Sequence, residues 1–328
     1  MRSSLPLFRL FPPPKFMLMP HVGLDISDDG VSCIAYSGFG GARHISLFGK
    51  MDFTPGLFTS GDVKDEKEFI AQLAEFGKKH KLTYVKVSMP EEKAYLFQTE
   101  VPSTEQKIIE QNIEFKLEEN VPLAAPDAVF YFDLLPRAVT GGALRASVSV
   151  VPRTYIEHYM ELVQSAGLIP VSFEVVPKAI ARAIIPVGSD KTRLIIHIMN
   201  KKTGIYIVSG NVIHFTFTAG WGVKSGGDDK GLFMMTELQK EISRIRSYWF
   251  SHGNGMNIDE AILVGKDANL VESSLSKMDD GAGLMNIKMA EVWCNATNLD
   301  KYIPAISRAD SLGYAVAAGL AFDTPRSI

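Results

Sequence analysis

The stretch VGLDISDDGVSCIAYSG, residues 22–38, sets Asp25, Ser27, Asp28 and Asp29 close together between two apolar runs. It reads as a strand, a small acidic turn and a second strand. That is the shape of a hairpin that holds a phosphate, because backbone N–H groups in a tight turn point at an anion. A second stretch, LIIHIMNKKTGIYIVSG at residues 194–210, has the same length and rhythm and the same Ser-Gly ending. Aligning Val22 with Leu194 and Gly38 with Gly210 gives an offset of 172 residues (194 − 22). Asp25 then faces His197, Ser27 faces Met199, Asp28 faces Asn200 and Val31 faces Thr203. Two related halves, each opening with a hairpin, predict a bilobed molecule with a cleft between the lobes.

The elements around the hairpins follow from pattern. GGARHISLFGKMDF reads as a further strand. Asp65, with Glu68 three residues later, predicts a capped helix whose Phe69, Leu73 and Phe76 share a face. YVKVSMP at 84–90 is a strand ended by Pro90, and strand–helix–strand alternation marks an α/β layer. The texture then changes. YLFQTEVP is a strand, and Ser103 with Gln106 opens a helix carrying Ile109, Ile113 and Leu117. AVFYFDLL and LRASVSVV flank a Gly141-Gly142 turn, and a helix with Ile156, Met160 and Val163 in a stripe runs to Gly167. This is a compact α+β unit set into the chain. The second half restarts with the 194–210 hairpin, the strand NVIHFTFTAG and a long helix over about 229–251. EAILVGKDANLVESSL then reads as strand, turn and helix, and ADSLGYAVAAGLAF as a closely packed small-residue helix.

Composition narrows the function. The 328 residues suffice for two or more cores, and 46% apolar with 22% charged residues is ordinary for a globular protein. A net charge of −3 without long single-sign blocks argues against nucleic acid. Two cysteines and seven histidines show no ligand spacing and no disulfide framework, which fits a reducing cytosol. No run of about 18 apolar residues predicts a transmembrane helix. The opening MRSSLPLFRLFPPPKFMLMP is broken by prolines and lacks a small-residue cleavage site, so it is not read as a signal peptide. It reads either as a flexible leader or as a basic, apolar foot for a membrane surface or partner.

Five segments carry a family resemblance: VGLDIS at 22–27, IIEQNIEFKLEENVPL at 108–123, AGLIPVSFEVVPKAIARA at 166–183, LQKEISRIRSYW at 238–249 and SLGYAVAAGLAF at 311–322. In this order and spacing the chain resembles the PilM family of the actin-like ATPase superfamily, cytoplasmic proteins of type IV pilus assembly. The resemblance implies an α/β fold, bilobed and actin-like (ribonuclease H-like), with an inserted small α+β subdomain. The leader would be 1–20, the first lobe 21–98 with 167–190, the insertion 99–166 and the second lobe 191–328.

The resemblance also implies a site. In such a cleft a carboxylate of each hairpin positions Mg²⁺, usually through water, and paired glycines late in the chain lie against the adenosine. The candidate ATP-contacting residues are Asp25, Ser27, Asp28, Asn200, Thr203, Gly222, Glu241 and Gly265, with Asp25 the metal-positioning group. The pattern is degenerate. Ser27 replaces the usual glycine, and Asp28 and Asp29 are either charges that repel a triphosphate, by about 1 kcal/mol per close pair, or plain turn residues. His197 replaces an aspartate and Met199 a glycine, and Lys201 and Lys202 read either as phosphate-attracting groups or, more simply, as a solvated turn. Gly265-Lys266 stands where paired glycines belong, while Gly220, Gly222, Gly226 and Gly227 leave room for a loose pocket. Glu241 and Arg244 read equally as a surface ion pair.

The expectation is therefore a pseudo-ATPase with weak or absent ATP and Mg²⁺ binding, serving as a scaffold. Its implied partners are the cytoplasmic tail of a PilN-like inner-membrane protein, bound in a groove walled by the insertion and the first lobe, and other pilus assembly proteins. Its place would be cytoplasmic, at the inner face of the membrane. Two rivals stand beside it. One is an active actin-like ATPase or kinase, which needs a second-hairpin carboxylate. The other is a related secretion or cell-division module, which the ending GLAFDTPRSI, without an amphipathic anchor, does not suit.

Overall fold

Alternation of apolar residues and well-placed turns builds a sheet twice in the same way. The computed structural model describes residues 21–38, 43–102, 104–135, 144–226, 230–253, 255–266, 268–271, 286–297, 299 and 302–322. The leader, the Gly141-Gly142 turn and most of the helix expected after Lys266 lie outside them. Strands β1 (Val22–Ser27), β2 (Gly30–Ser37) and β3 (His44–Met51) form an antiparallel meander. A short ribbon of β4 (Phe58–Thr59) and β5 (Asp62–Val63) leads to helix α1 (Glu66–His80). That helix carries the chain over to β6 (Tyr84–Met89), parallel to β1. After the insertion, β10 (Ile169–Val175) lies parallel to β6, giving the order β10-β6-β1-β2-β3.

The second sheet repeats the plan. β11 (Thr192–Ile198), β12 (Thr203–Ser209) and β13 (Val212–Ala219) are antiparallel, and β14 (Glu260–Val264) and β15 (Ile287–Met289) add on in parallel. Its order, β15-β14-β11-β12-β13, is that of the first sheet. The repeat holds in register: Ile26 pairs with Val31 in one hairpin, and Ile198 with Thr203 in the other, at the predicted offset of 172 (198 − 26). β11, β12 and β14 are buried on nearly every residue, as strands covered on both faces must be.

Helix α1 starts as its sequence predicts, with the Asp65 carboxylate accepting from the N–H of Glu68 at 3.0 Å. Glu68 does not return the bond. Its carboxylate accepts from Thr54 Oγ1 at 2.8 Å, so the capping box is half made. The insertion packs β7 (Tyr95–Glu100), β9 (Arg145–Pro152) and β8 (Ala128–Leu134) into a three-stranded sheet, in that order, under helix α2 (Gln106–Asn120). Ile109, Ile113 and Leu117 of α2 meet Ala146, Val148 and Val150 of β9 in a small core of its own.

Helix α3 (Arg153–Ser165), which the sequence places in the insertion, buries Tyr159, Leu162 and Val163 in the core of the first sheet. It precedes β10, and a crossover helix between parallel strands must lie on their sheet. Two further helices, α4 (Val176–Ile184) and α7 (Ala315–Ala321), stand between the lobes and share the second core. Small residues bring them close: a Cβ on Gly319 would lie 1.8 Å from the Ala179 carbonyl oxygen, and one on Gly23 2.0 Å from that of Ala317. The long helix predicted over 229–251 is α5 (Lys230–His252), and the short α6 (Arg308–Ser311) precedes α7. Among the described residues no helix is long and apolar enough to cross a membrane.

Candidate functional site

The two hairpin tips meet in the cleft between the sheets. β1 and β2 turn through Asp28 and Asp29, and Gly30, at φ +125°, brings the chain so close to β3 that a Cβ there would lie 2.2 Å from the Met51 carbonyl oxygen. Ser27 Oγ accepts from the Asp29 N–H at 3.3 Å and fixes that turn. The second tip runs from Met199 to Lys202 and is closed by the Met199 N–H to the Lys202 carbonyl at 3.1 Å.

The tips grip each other directly. Asp29 Oδ2 accepts from the backbone N–H of Asn200 at 3.2 Å, and its Oδ1 from Asn200 Nδ2 at 2.7 Å, across 171 residues of chain. Asp28 accepts from the Ser60 N–H at 2.9 Å and lies 3.6 Å from the Lys202 ammonium, which also pairs with Glu92. Next to this pair Glu91 accepts from Tyr206 Oη at 2.8 Å and Thr218 Oγ1 at 3.2 Å. Lys202 is therefore no solvated turn residue; it is 8% exposed and bound between carboxylates of the other lobe. Of the two alternatives for Asp28, the turn position is right, yet its side chain is tied to Ser60 and Lys202.

What is left of the cleft is a cavity of about 80 Å³, lined among others by Asp25, Ser27, Asp29, His197, Met199 and Lys266. That volume is small beside the roughly 300–1,000 Å³ of small-molecule sites. Asp25 and His197 face this space from equivalent strand positions, and among the described residues Asp25 Oδ1 and His197 Nδ1 are buried without a hydrogen-bond partner. Burial raises the Asp25 carboxyl to about 7; Asp29 and Glu91 add to the rise, while the Ser88 hydroxyl and Lys202 oppose it. Burial, with Lys202, lowers His197 to about 3, so its imidazole is neutral. Glu91 is likewise raised, by burial and then by Glu92. Burial alone would lower Lys202, but Glu91, Glu92 and Asp28 outweigh it and hold the ammonium above its usual range.

The remaining predicted residues are placed as follows. Thr203 is fully buried, and its Oγ1 donates to the Trp221 carbonyl at 3.0 Å. Gly222 and Gly265 seat the second hairpin: a Cβ on Gly222 would lie 2.3 Å from the Met199 carbonyl oxygen, and one on Gly265, at φ +116°, 2.0 Å from that of Ile198. Gly220, by contrast, has nothing within 4 Å of where a Cβ would stand, and Gly227 lies outside the described residues. Glu241 lies on α5, 3.7 Å from Arg244, and does not line the cavity. Asp25 has the carboxylate chemistry to position Mg²⁺ through water, but the second hairpin offers a neutral imidazole opposite it. Among the described residues no group of three or more His, Cys, Asp or Glu could hold a metal ion.

Sequence reasoning missed Glu91, Glu92 and the Asp29–Asn200 contact. The acidic pair does have a signal, since it stands just past the carboxyl end of β6, where open α/β sheets gather polar function. The contact has none.

A second region joins the insertion to the first lobe. β8 and β10 are both edge strands. Lys178 of α4 is ion-paired to Asp133 of β8 and sits 4.0 Å over the Tyr131 ring. Arg182, one turn on, pairs with Glu174 of β10 and donates to the Gly319 carbonyl at 3.0 Å. Tyr131 on β8 is 56% exposed, and on β10 Ile169 is 47% and Val171 37% exposed.

With this geometry in view, the chain can be set beside known proteins. No family model matches it, and no curated protein matches it in sequence. Its structure is similar to the PilM-PilN type IV pilus biogenesis complex, with a TM-score of 0.74 at 17% identity over 92% of this chain and 98% of that one. That likeness is one of fold, an α/β arrangement of two five-stranded mixed sheets of equivalent order. More distant are the ethanolamine utilization protein EutJ from Carboxydothermus hydrogenoformans (TM-score 0.47, 14% identity, 92% of this chain and 88% of that one) and the cytoplasmic domain of EpsL, an inner-membrane component of the type II secretion system of Vibrio cholerae (0.43, 11%, 90% and 92%). The resemblance read from the five sequence segments thus holds at the level of fold.

Proposed function

We propose that the chain is a cytoplasmic adaptor of type IV pilus assembly. It holds the cytoplasmic tail of a PilN-like inner-membrane partner against its inserted sheet, and its cleft is a sealed relic that performs no phosphoryl transfer. The observation that carries the reading is the likeness, end to end, to a complex of PilM with PilN. Two local features support it. Edge strands β8 of the insertion and β10 of the first lobe each carry exposed apolar side chains, and an open strand edge suits an extended peptide. The Asp29–Asn200 contact closes the hairpin tips on each other, which favours a cleft without phosphoryl transfer.

The test is a titration of the full chain with a peptide of the partner's cytoplasmic tail. Saturable binding is expected, weakened about tenfold by Tyr131→Ala, which removes an exposed aromatic anchor beside Lys178. Phe250→Ala, at the 90% exposed Phe250 on α5, leaves it unchanged. A folded protein that binds no tail peptide sinks the adaptor reading. The enzyme reading keeps one foothold, the intact Asp25. Steady-state phosphate release above a buffer blank, abolished by Asp25→Asn, restores it.

A further inference from the structure

The turn of the second hairpin presents the donors an oxyanion needs. The backbone N–H and the side-chain amide of Asn200 converge on one point, and the Lys202 ammonium lies two residues on. The point is not empty. A carboxylate sits there with one oxygen on each Asn200 donor, and it belongs to Asp29 of the other lobe.

Both sides of this contact are held from behind. On the first hairpin Ser27 Oγ fixes the Asp29 N–H, and the Ser60 N–H fixes the carboxylate of Asp28. On the second, the Val223 N–H donates to the Met199 carbonyl at 3.1 Å and the Lys224 N–H to that of Asn200 at 2.8 Å. Asp29 is thus delivered to a preformed turn, and it cannot share that turn. Asp28, Glu91 and Glu92 already surround the Lys202 ammonium, and a second anion beside them and Asp29 is repelled.

We propose that the second hairpin is an oxyanion-binding turn whose resident ligand is the chain's own Asp29 carboxylate. The two lobes are latched through this built-in anion, and a free oxyanion of the phosphate class enters only when Asp29 is removed. This goes beyond the adaptor reading and does not depend on it.

The experiment follows the backbone amide of Asn200 by two-dimensional NMR in the full chain while inorganic phosphate is added. In the parent protein the amide is expected to stay in place. In Asp29→Ala it moves saturably, together with its neighbours in the turn, with an apparent affinity for phosphate at least about tenfold tighter than the parent's. Asp29→Asn keeps the shape and loses the charge. It carries the test if the alanine variant does not fold, and in it the Asn200 amide exchanges with solvent at least about tenfold faster than in the parent. Two results overturn the proposal: folded variants in which phosphate leaves the Asn200 amide unmoved, or a parent that binds phosphate as tightly as they do. Binding of the partner's tail peptide by Asp29→Ala stays at the parent's level, so loss of the latch and loss of the adaptor reading register separately.

Discussion

Asp25 and His197 occupy matching positions on β1 and β11, and burial drives their protonation in opposite directions. For Asp25 the folded value, about 7, lies above the ordinary 3.8 of the unfolded chain. Its contribution to stability is therefore complete below pH 3.8 and is lost as the pH rises through 7. His197 runs the other way. Its folded value, about 3, lies below the ordinary 6.5, so stability is present above pH 6.5 and is lost as the pH falls toward 3. The two slopes oppose each other in the parent, so the test is a difference. Urea titrations of the parent and Asp25→Asn between pH 5 and pH 8.5 are expected to show the variant gaining on the parent by ~1–3 kcal/mol as the pH rises. A constant gap across that range refutes a buried, proton-holding Asp25.

At the scale of elements, the close crossing of α7 with β1 and α4 depends on two glycines. Gly319→Ala places a methyl group 1.8 Å from the Ala179 carbonyl oxygen, a backbone atom of a packed helix that has no room to retreat. Overpacking of this kind costs about 3 kcal/mol or more, and calorimetry should find the melting temperature of Gly319→Ala lowered by several degrees. A variant that melts with the parent shows that α4 and α7 slide past each other freely. Much of this scale was legible in the sequence. The hairpins, their 172-residue offset, the Asp65 cap and the long helix are local patterns in which neighbouring residues carry the signal. The placement of α3 was not, because its Tyr159 and Leu162 look alike to a periodicity whichever sheet they cover. Nor was the fate of Lys202. Its partner Glu92 lies 110 residues away, and Asn200 and Asp29 are 171 apart, distances across which a single sequence offers no pairing rule. A lysine in a hairpin turn reads as solvated until the opposite lobe is in place.

On the scale of the whole molecule, the insertion reaches across the lobes. Ser147 Oγ donates to the Ile213 carbonyl at 2.5 Å, and Gln98 Nε2 lies 3.3 Å from Nδ1 of His214 on β13. Burial, with Arg145 adding, lowers His214 to about 4, so this bridge carries a neutral imidazole and its stability fades as the pH falls from 6.5 toward 4. Protection factors of the amides along β7 and β13, corrected for the intrinsic pH dependence of exchange, are expected to fall over that range in the parent, and protection that is flat in pH speaks against the bridge. Together with the latched hairpin tips, the insertion ties both lobes into one body suited to presenting a surface. The same closure leaves the central cavity at about 80 Å³. The most direct test of that account is a calorimetric titration of the full chain with Mg-ATP at high protein concentration. Flat heats are the predicted result, those of a scaffold whose cleft is filled by its own side chains. Saturable micromolar binding contradicts it, because the hairpins must then part and cradle phosphate after all.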